Sequence, residues 1–312
     1  MGRQDVFAFV NPPPLLLGIW PLGLLGFPEA WVVWIVVTYA VWFIATRRLH
    51  AELSWPIAAF PGALVAAWHA QTGFLTSAIQ AAVAGLLDKR PFVAGLFVGA
   101  LVIKPHLALL FPVAFLAGRH WRAVAGAAVS VLGLLALSWL VFGTATMLAY
   151  PKSWAASNLL LTTSSDVFFL RQVTVYAMVR VAVSSQAGLA TQAVVTLAMA
   201  VLTWRAWARP GPMEGKLALL FVATPLATPY LFSYDLPFLV MPLCWLVETE
   251  RARGFPGWSR TWLLLLYVSP LLARAMALPL GVNPMSMVSA VTVWWIWRHL
   301  NAVPKRAPAV ET

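Results

Sequence analysis

The chain has 312 residues, 61% of them hydrophobic and only 10% charged, with a mean hydropathy of +0.82. Soluble domains carry about a quarter charged residues, so this is an integral membrane chain with no soluble domain in it. Its formal charge of +11 does not point to nucleic acid, because most of the Lys and Arg lie in short segments between apolar runs, where they encode topology. The single cysteine, Cys244, sits in an apolar run; an intrachain disulfide is excluded and a thiolate metal site disfavoured.

Met1 leads at once into Gly2-Arg3-Gln4-Asp5, without the basic flank and apolar core of a cleavable leader. Pro12-Pro13-Pro14 opens a short apolar stretch that Pro28 ends, and residues 29–46 form a first convincing span that exits at Arg47-Arg48. With basic loops assigned to the cytoplasm, four excursions then leave that side and return to it. The first covers 57–87, with His69-Ala70-Gln71-Thr72-Gly73 at its apex. The second covers 91–117, a run of 27 residues flanked by Asp88-Lys89-Arg90 and Arg119-His120-Trp121-Arg122 and interrupted by Lys104-Pro105-His106. Two short helices that turn at Lys104 satisfy both the length and the basic flanks.

Residues 123–142 and 187–204 read as two further helices. They bracket an outer loop, 144–186, with an interfacial helix in its second half, where Ser165-Asp166 is a helix-start signal. Arg171 and Arg180 are nine residues apart, which at about 100° per residue puts them on opposite faces, so at most one points at a common site. The third excursion covers 217–247 and turns at Thr228-Pro229-Tyr230-Leu231-Phe232-Ser233-Tyr234-Asp235. The fourth covers 261–297 and turns at Gly281-Val282-Asn283-Pro284, and a polar cytoplasmic tail occupies 299–312. There is no internal sequence repeat of the kind inverted-repeat transporters carry. The expected fold is an all-α, polytopic transmembrane helical bundle with several short helical hairpins, a single integral membrane domain over 1–312.

Irregular backbone inside a membrane is tolerated only where protein or a watery cavity surrounds it. Three polar apices at one depth therefore imply a shared cavity near the extracytoplasmic surface, lined by His69, Gln71, Thr72, Lys104, His106, Tyr230, Tyr234 and Asp235, with Asp166, Arg171 or Arg180 able to descend from the loop. Cations and phenols suit an anion, most naturally a phosphate at the lipid surface, and a carboxylate among them can take a proton. Each residue also has a plain structural role open to it: Lys104 as a snorkelling cation, His106 as a satisfied core residue, the tyrosines as interface anchors, Gln71-Thr72-Gly73 as a turn, and Arg274 as a side chain reaching the outer interface. Asp235 is the hardest to dismiss, since Leu236-Pro237-Phe238-Leu239-Val240 leaves it no aqueous escape. No HExxH, Walker loop, GxGxxG or GxSxG motif occurs, so neither a metal nor a nucleotide cofactor is expected.

At these residues the chain resembles glycosyltransferase family 87, polytopic GT-C enzymes that use polyprenyl-phosphate sugars. The resemblance rests on Gln71-Thr72-Gly73-Phe74-Leu75-Thr76, similar to the family's GQNGFLT; on Asp88-Lys89-Arg90-Pro91 followed by AGLFVGALVIKPHLALLFPVAFLAGRHWRA; on VFFLR ending at Arg171; on ATPYLFSYDLPFL around Asp235; and on Pro12-Pro13-Pro14, similar to the family's YPPP. It implies a GT-C-like fold and an inverting hexosyltransferase of the cell envelope, which transfers a hexose, often mannose, to a glycolipid or glycan acceptor on the extracytoplasmic side of a bacterial inner membrane. Membrane lipid is the third expected partner; no cofactor is implied. Lys104, Arg171 and Tyr234 would serve the donor phosphate, Gln71 and His106 sugar or phosphate, and Tyr230 stands with them.

In the family a first membrane helix and a long outer loop precede the proline run, and that loop supplies the catalytic carboxylate. Here eleven residues precede Pro12, with Asp5 as their one carboxylate, and Thr72 stands where the family has Asn. The catalytic candidates are therefore Asp235 and Asp5. Three explanations are open: a start upstream of Met1, a degenerate paralogue of impaired activity, or substitution by Asp235 or Asp166; the polar, unanchored amino end favours the first. The alternative functional classes are a non-catalytic lipid-linked-sugar carrier or flippase and a membrane complex subunit.

Overall fold

The computed structural model describes residues 11–163 and 166–302. All of its regular elements there are helical. A short α1 (Pro14–Ile19) and a 3-10 turn (Trp20–Leu24) precede α2 (Phe27–Arg47), which Pro28 starts in its first turn. The first hairpin is α3 (Ser54–Ala58), α4 (Pro61–His69) and α5 (Gly73–Leu86). The second is α6 (Pro91–Ala100), two 3-10 segments (Leu101–Ile103 and Pro105–Ala108) that meet at Lys104, and α7 (Phe111–Ala117).

A long α8 (Trp121–Thr163) follows, then α9 (Asp166–Leu170), α10 (Val175–Ala182) and α11 (Ser185–Trp207). The third hairpin is α12 (Met213–Ala227), an irregular strand-like turn, a 3-10 segment (Ser233–Leu239) and α13 (Val240–Ala252); α14 (Ser259–Leu280) and α15 (Met285–Ala302) complete the chain.

Among the described residues four helices are long and apolar enough to cross a membrane: α2, the Trp121–Ser153 part of α8, α11 and α14. They form the outer layer, because only 11–33% of their most apolar windows is buried. Several short helices, α5, α6 and α12 among them, are the inside. In α12 every residue from Gly215 to Ala227 is buried, and α5 and α6 bury Phe74, Ala81, Val83, Ala94 and Val98. An apolar helix of ten to fifteen residues cannot span a bilayer alone, and here each is wrapped by longer neighbours.

The closest helix pairing, α6 on α8, is made by glycine. A Cβ on Gly95 would collide with the Ala123 carbonyl, one on Gly126 with the Phe92 carbonyl, and one on Gly99 would lie 2.5 Å from Ala127 O. Small residues four apart let two backbones touch where lipid supplies no hydrophobic drive.

Two segments differ from expectation. The region 144–186, expected as an outer loop with a helix in its second half, is helical there in α9 and α10 but helical in its first half too: Gly143 adopts φ 74°, ψ 168° and breaks the helical path, yet α8 continues beyond it to Thr163. A single left-handed glycine changes direction at little cost, and periodicity read as a helix end was in fact a kink. In the tail assigned to 299–312, α15 persists to Ala302, where Asn301 Nδ2 donates to Trp297 O at 2.8 Å.

Candidate active site

The apices of the first three hairpins converge. Gly73 is the reason they can: any Cβ there would strike the Tyr234 carbonyl, so the first apex lies directly on the third. Ala70, left-handed at φ 45°, ends α4 and turns the chain toward it.

Lys104 lies where the two 3-10 segments of the second hairpin meet. Pro105 supplies no N–H, and the backbone at Lys104 is non-helical (φ −152°, ψ 70°), which aims its side chain inward. Its ammonium donates to Asp235 Oδ1 and, at 3.2 Å, to Thr72 Oγ1, and lies 5.2 Å from the centre of the Tyr234 ring. Asp235 is 1% exposed and Lys104 7%. The other carboxylate oxygen, Oδ2, accepts the Phe232 N–H at 3.5 Å. Three hairpins thus contribute one polar group each to a single buried ion pair, and the ring beside it adds a cation–π contact.

Aromatic and imidazole rings extend the site. His69 packs 5.2 Å from Tyr234, Phe232 stacks on Tyr234 at 5.1 Å, and Tyr230 meets Phe232 at 5.2 Å and His106 at 5.9 Å, both edge-on. His106 Nε2 is buried without a partner. His69 Nδ1 donates to Val65 O at 2.8 Å, leaving Nε2 as its second ring nitrogen for other contacts.

The irregular third apex is not left unsatisfied. The Val173 N–H donates to Leu231 O at 2.9 Å, an isolated antiparallel bridge pairs Gln172 with Phe232, and the Ser233 N–H reaches Arg171 O at 3.4 Å. On the other flank Gln192 Nε2 donates to Leu226 O at 2.8 Å and Thr196 Oγ1 to Ala227 O at 2.7 Å. These are the carbonyls freed where α12 ends ahead of Pro229. The segment 170–174 is in turn tied to the last hairpin: Asn283 Nδ2 donates to Leu170 O at 3.0 Å and Ser286 Oγ to Thr174 O at 3.4 Å.

The expected residues therefore fall into groups. Lys104, Tyr234 and Asp235 are in direct contact, with Tyr230 and His106 beside them. Gln71 is exposed at the rim, its carbonyl accepting the Trp34 indole N–H at 3.3 Å. Arg171 is exposed and within electrostatic range of Arg274 on α14. Arg180 stacks on Phe169, 3.8 Å from its ring centre, and belongs to a separate small cluster. Asp5 lies outside the described residues, and Asp166 is exposed at the start of α9. Thr72 and His69, expected to line the cavity but given no role in it, contact Lys104 and Tyr234 respectively. Among the described residues no group of three His, Cys, Asp or Glu is placed to hold a metal ion.

Long apolar outer helices around broken inner ones, with a buried charged pair at the breaks, define a polytopic all-α membrane protein. Residues 9–229 match glycosyltransferase family 87, and the chain belongs to that family of glycosyltransferases. The matched region holds Gln71, Lys104, His106 and Arg171 and stops just before Tyr230, Tyr234 and Asp235. Comparisons with curated proteins and with solved structures gave no match.

Proposed function

We propose that the chain transfers a hexose, mannose first among candidates, from a polyprenyl-phosphate donor to a glycolipid or glycan acceptor on the extracytoplasmic side of the cell membrane, with inversion at the anomeric carbon. The observation that carries this reading is the buried contact of Lys104 with Asp235 at the meeting point of three hairpin apices, roofed by Tyr234. Family membership favours transfer over a carrier or a scaffold.

In this mechanism the donor phosphate competes with Asp235 for the Lys104 ammonium. As Lys104 turns to the phosphate, Asp235 loses its cation and becomes a proton acceptor. The acceptor hydroxyl attacks the anomeric carbon, the bond from that carbon to the phosphate oxygen breaks, and its electron pair leaves on the polyprenyl phosphate. The hydroxyl proton passes to Asp235, and a single displacement inverts the centre. Lys104 and the Tyr234 and Tyr230 hydroxyls stabilise the leaving phosphate, Arg171 adds positive charge from the adjoining segment, and Gln71 and His106 offer hydrogen bonds to sugar or phosphate. Asp5 is the other carboxylate that the resemblance nominates for the proton.

The test is transfer of labelled mannose from a synthetic polyprenyl-phosphate donor by the full chain in proteoliposomes. Wild type is expected to transfer; Asp235→Asn, recovered folded, is expected to lose at least 100-fold in rate, as removal of a transition-state group typically does. Turnover by Asp235→Asn within a few-fold of wild type would remove Asp235 from the chemistry and leave Asp5 as the base to be varied next. Failure with every polyprenyl-phosphate sugar, alongside transfer from another donor, would overturn the donor class.

A further inference from the structure

The segment 170–174 has no helix of its own, yet the third apex leans on it. α9 ends at Leu170 and α10 does not begin until Val175. Between them the backbone pairs outward, Val173 N–H with Leu231 O and Ser233 N–H with Arg171 O. These two bonds flank the Gln172–Phe232 bridge, which is therefore a non-hydrogen-bonded pair, the closer of the two antiparallel spacings at about 4.5 Å between Cα atoms. Thr174 Oγ1 adds a third tie, donating to Pro229 O at 3.4 Å. Through Phe232 the pairing reaches the ion pair, because the Phe232 N–H donates to Asp235 Oδ2 and its ring stacks on Tyr234.

Something must in turn hold the segment. A helix of five residues is not stable by itself and cannot fix its own end. The carbonyl of Leu170, a buried residue, is freed where α9 stops, and a buried carbonyl requires a donor. Gln172, inside the segment, does not serve: both polar atoms of its amide are buried and partnerless among the described residues.

The donor comes from the last hairpin. Asn283, 3% exposed in the turn between α14 and α15, gives its Nδ2 to Leu170 O at 3.0 Å. Its Oδ1 accepts the Met285 N–H at 3.1 Å, closing an Asx turn ahead of α15. One amide is thus gripped at both ends: α15 fixes its oxygen, and its nitrogen fixes the segment. Pro284, with its locked φ, stiffens the turn between them. Ser286 adds a weaker hold from the first turn of α15, at 3.4 Å from Thr174 O.

We infer that Asn283 is a positioning residue for the transfer reaction: it braces segment 170–174 against the third apex and, through the pairing with Phe232, keeps the Asp235 carboxylate in place beside Lys104. The inference rests on Asp235 acting as put forward above, and it adds a residue well past position 229, where the family match ends. Asn283 touches no reacting group itself. A shift of about 1 Å at a reacting group costs on the order of 100-fold in rate, so loss of the brace is expected in kcat.

Two substitutions separate the brace from the turn. Asn283→Ser keeps a side-chain oxygen for the Met285 N–H but is too short to reach Leu170 O, whereas Asn283→Ala loses both. Sugar transfer, melting temperature in detergent and hydrogen exchange of peptides 166–176 and 229–236 are measured on the full chain. Both variants are expected to lose about tenfold or more in kcat with KM for the donor within about threefold of wild type, the pattern of an interaction realised only in the transition state. Exchange at the Val173 and Ser233 N–H groups is expected to quicken in both, about fivefold or more, while Asn283→Ala alone melts clearly lower. Ser286→Ala, which drops only the weaker hold, is expected to act in the same direction with a smaller loss, and carries the test should the Asn283 variants not fold. If kcat follows melting instead, with Asn283→Ser like wild type and Asn283→Ala impaired, Asn283 merely starts α15 and the inference fails. Unchanged exchange in Asn283→Ser overturns it too, as does quickened exchange with normal kcat. If Asn283→Ser loses kcat while Asp235→Asn does not, the route through Asp235 is overturned. If exchange behaves as expected while wild type transfers no sugar from any donor, the transfer reading fails and the brace stands.

Discussion

At Lys104 and Asp235 the two charges stabilise each other in surroundings where neither is tolerated alone. Removing one partner of a buried pair leaves an uncompensated charge and costs about 3–5 kcal/mol. Lys104→Ala and Asp235→Ala should therefore both lower the yield of monodisperse protein in detergent. Lys104→Met combined with Asp235→Leu removes both charges at similar volume and should recover much of that yield while transferring no sugar. Transfer by the double variant would make the pair purely structural. The burial of both residues was legible beforehand, since each interrupts an apolar run near its middle. Their contact was not: run length gives a residue's height in the membrane and nothing about its direction around the bundle. Thr72 and Gly73 carried the missing direction, one by bonding the ammonium and the other by admitting the Tyr234 backbone, and both read equally well as an ordinary turn.

Among the elements, the broken helices persist because other elements satisfy the groups they free. Gln192 is the main example: its Oε1 accepts the Tyr176 N–H at 2.9 Å while its Nε2 serves Leu226 O and Thr196 Oγ1. Gln192→Leu strands a buried donor and a buried acceptor, at about 1–3 kcal/mol each, and should lower the melting temperature in detergent clearly. Thr292→Val is the control, since that hydroxyl bonds only Val288 O one turn back in its own helix; an equal shift in both variants would refute the special role of Gln192. Gly95→Leu tests the other device, the α6–α8 contact. It forces the helices apart, should cost at least the 1–3 kcal/mol typical of overpacking, and should displace Lys104 at the far end of α6; unchanged melting and unchanged transfer would show that this close approach is dispensable. Proline and basic-loop spacing made the hairpins readable in the sequence. The continuation of α8 past Gly143 was not, because a glycine inside an apolar helix and a glycine at its end look alike until the backbone angle is known.

For the whole molecule, the proposed chemistry puts the Lys104–Asp235 region in the extracytoplasmic half, as expected from the pattern of basic loops, and requires water to reach it from that side. The chain offers a direct test, since its one cysteine, Cys244, is buried. With Cys244→Ala as background, Val282→Cys in the α14–α15 turn reports sidedness, Gln71→Cys at the exposed rim reports hydration, and Arg253→Cys, exposed after α13, reports the opposite face. A membrane-impermeant maleimide applied to intact spheroplasts should label Val282→Cys and Gln71→Cys, and Arg253→Cys only after permeabilisation. Labelling of Arg253→Cys alone in intact spheroplasts would invert the topology and end the extracytoplasmic reading. Labelling of Val282→Cys without Gln71→Cys would mean that the apex is dry in the resting protein; an acceptor hydroxyl then has no hydrated path to Asp235, and the proposed proton transfer fails even with the topology correct.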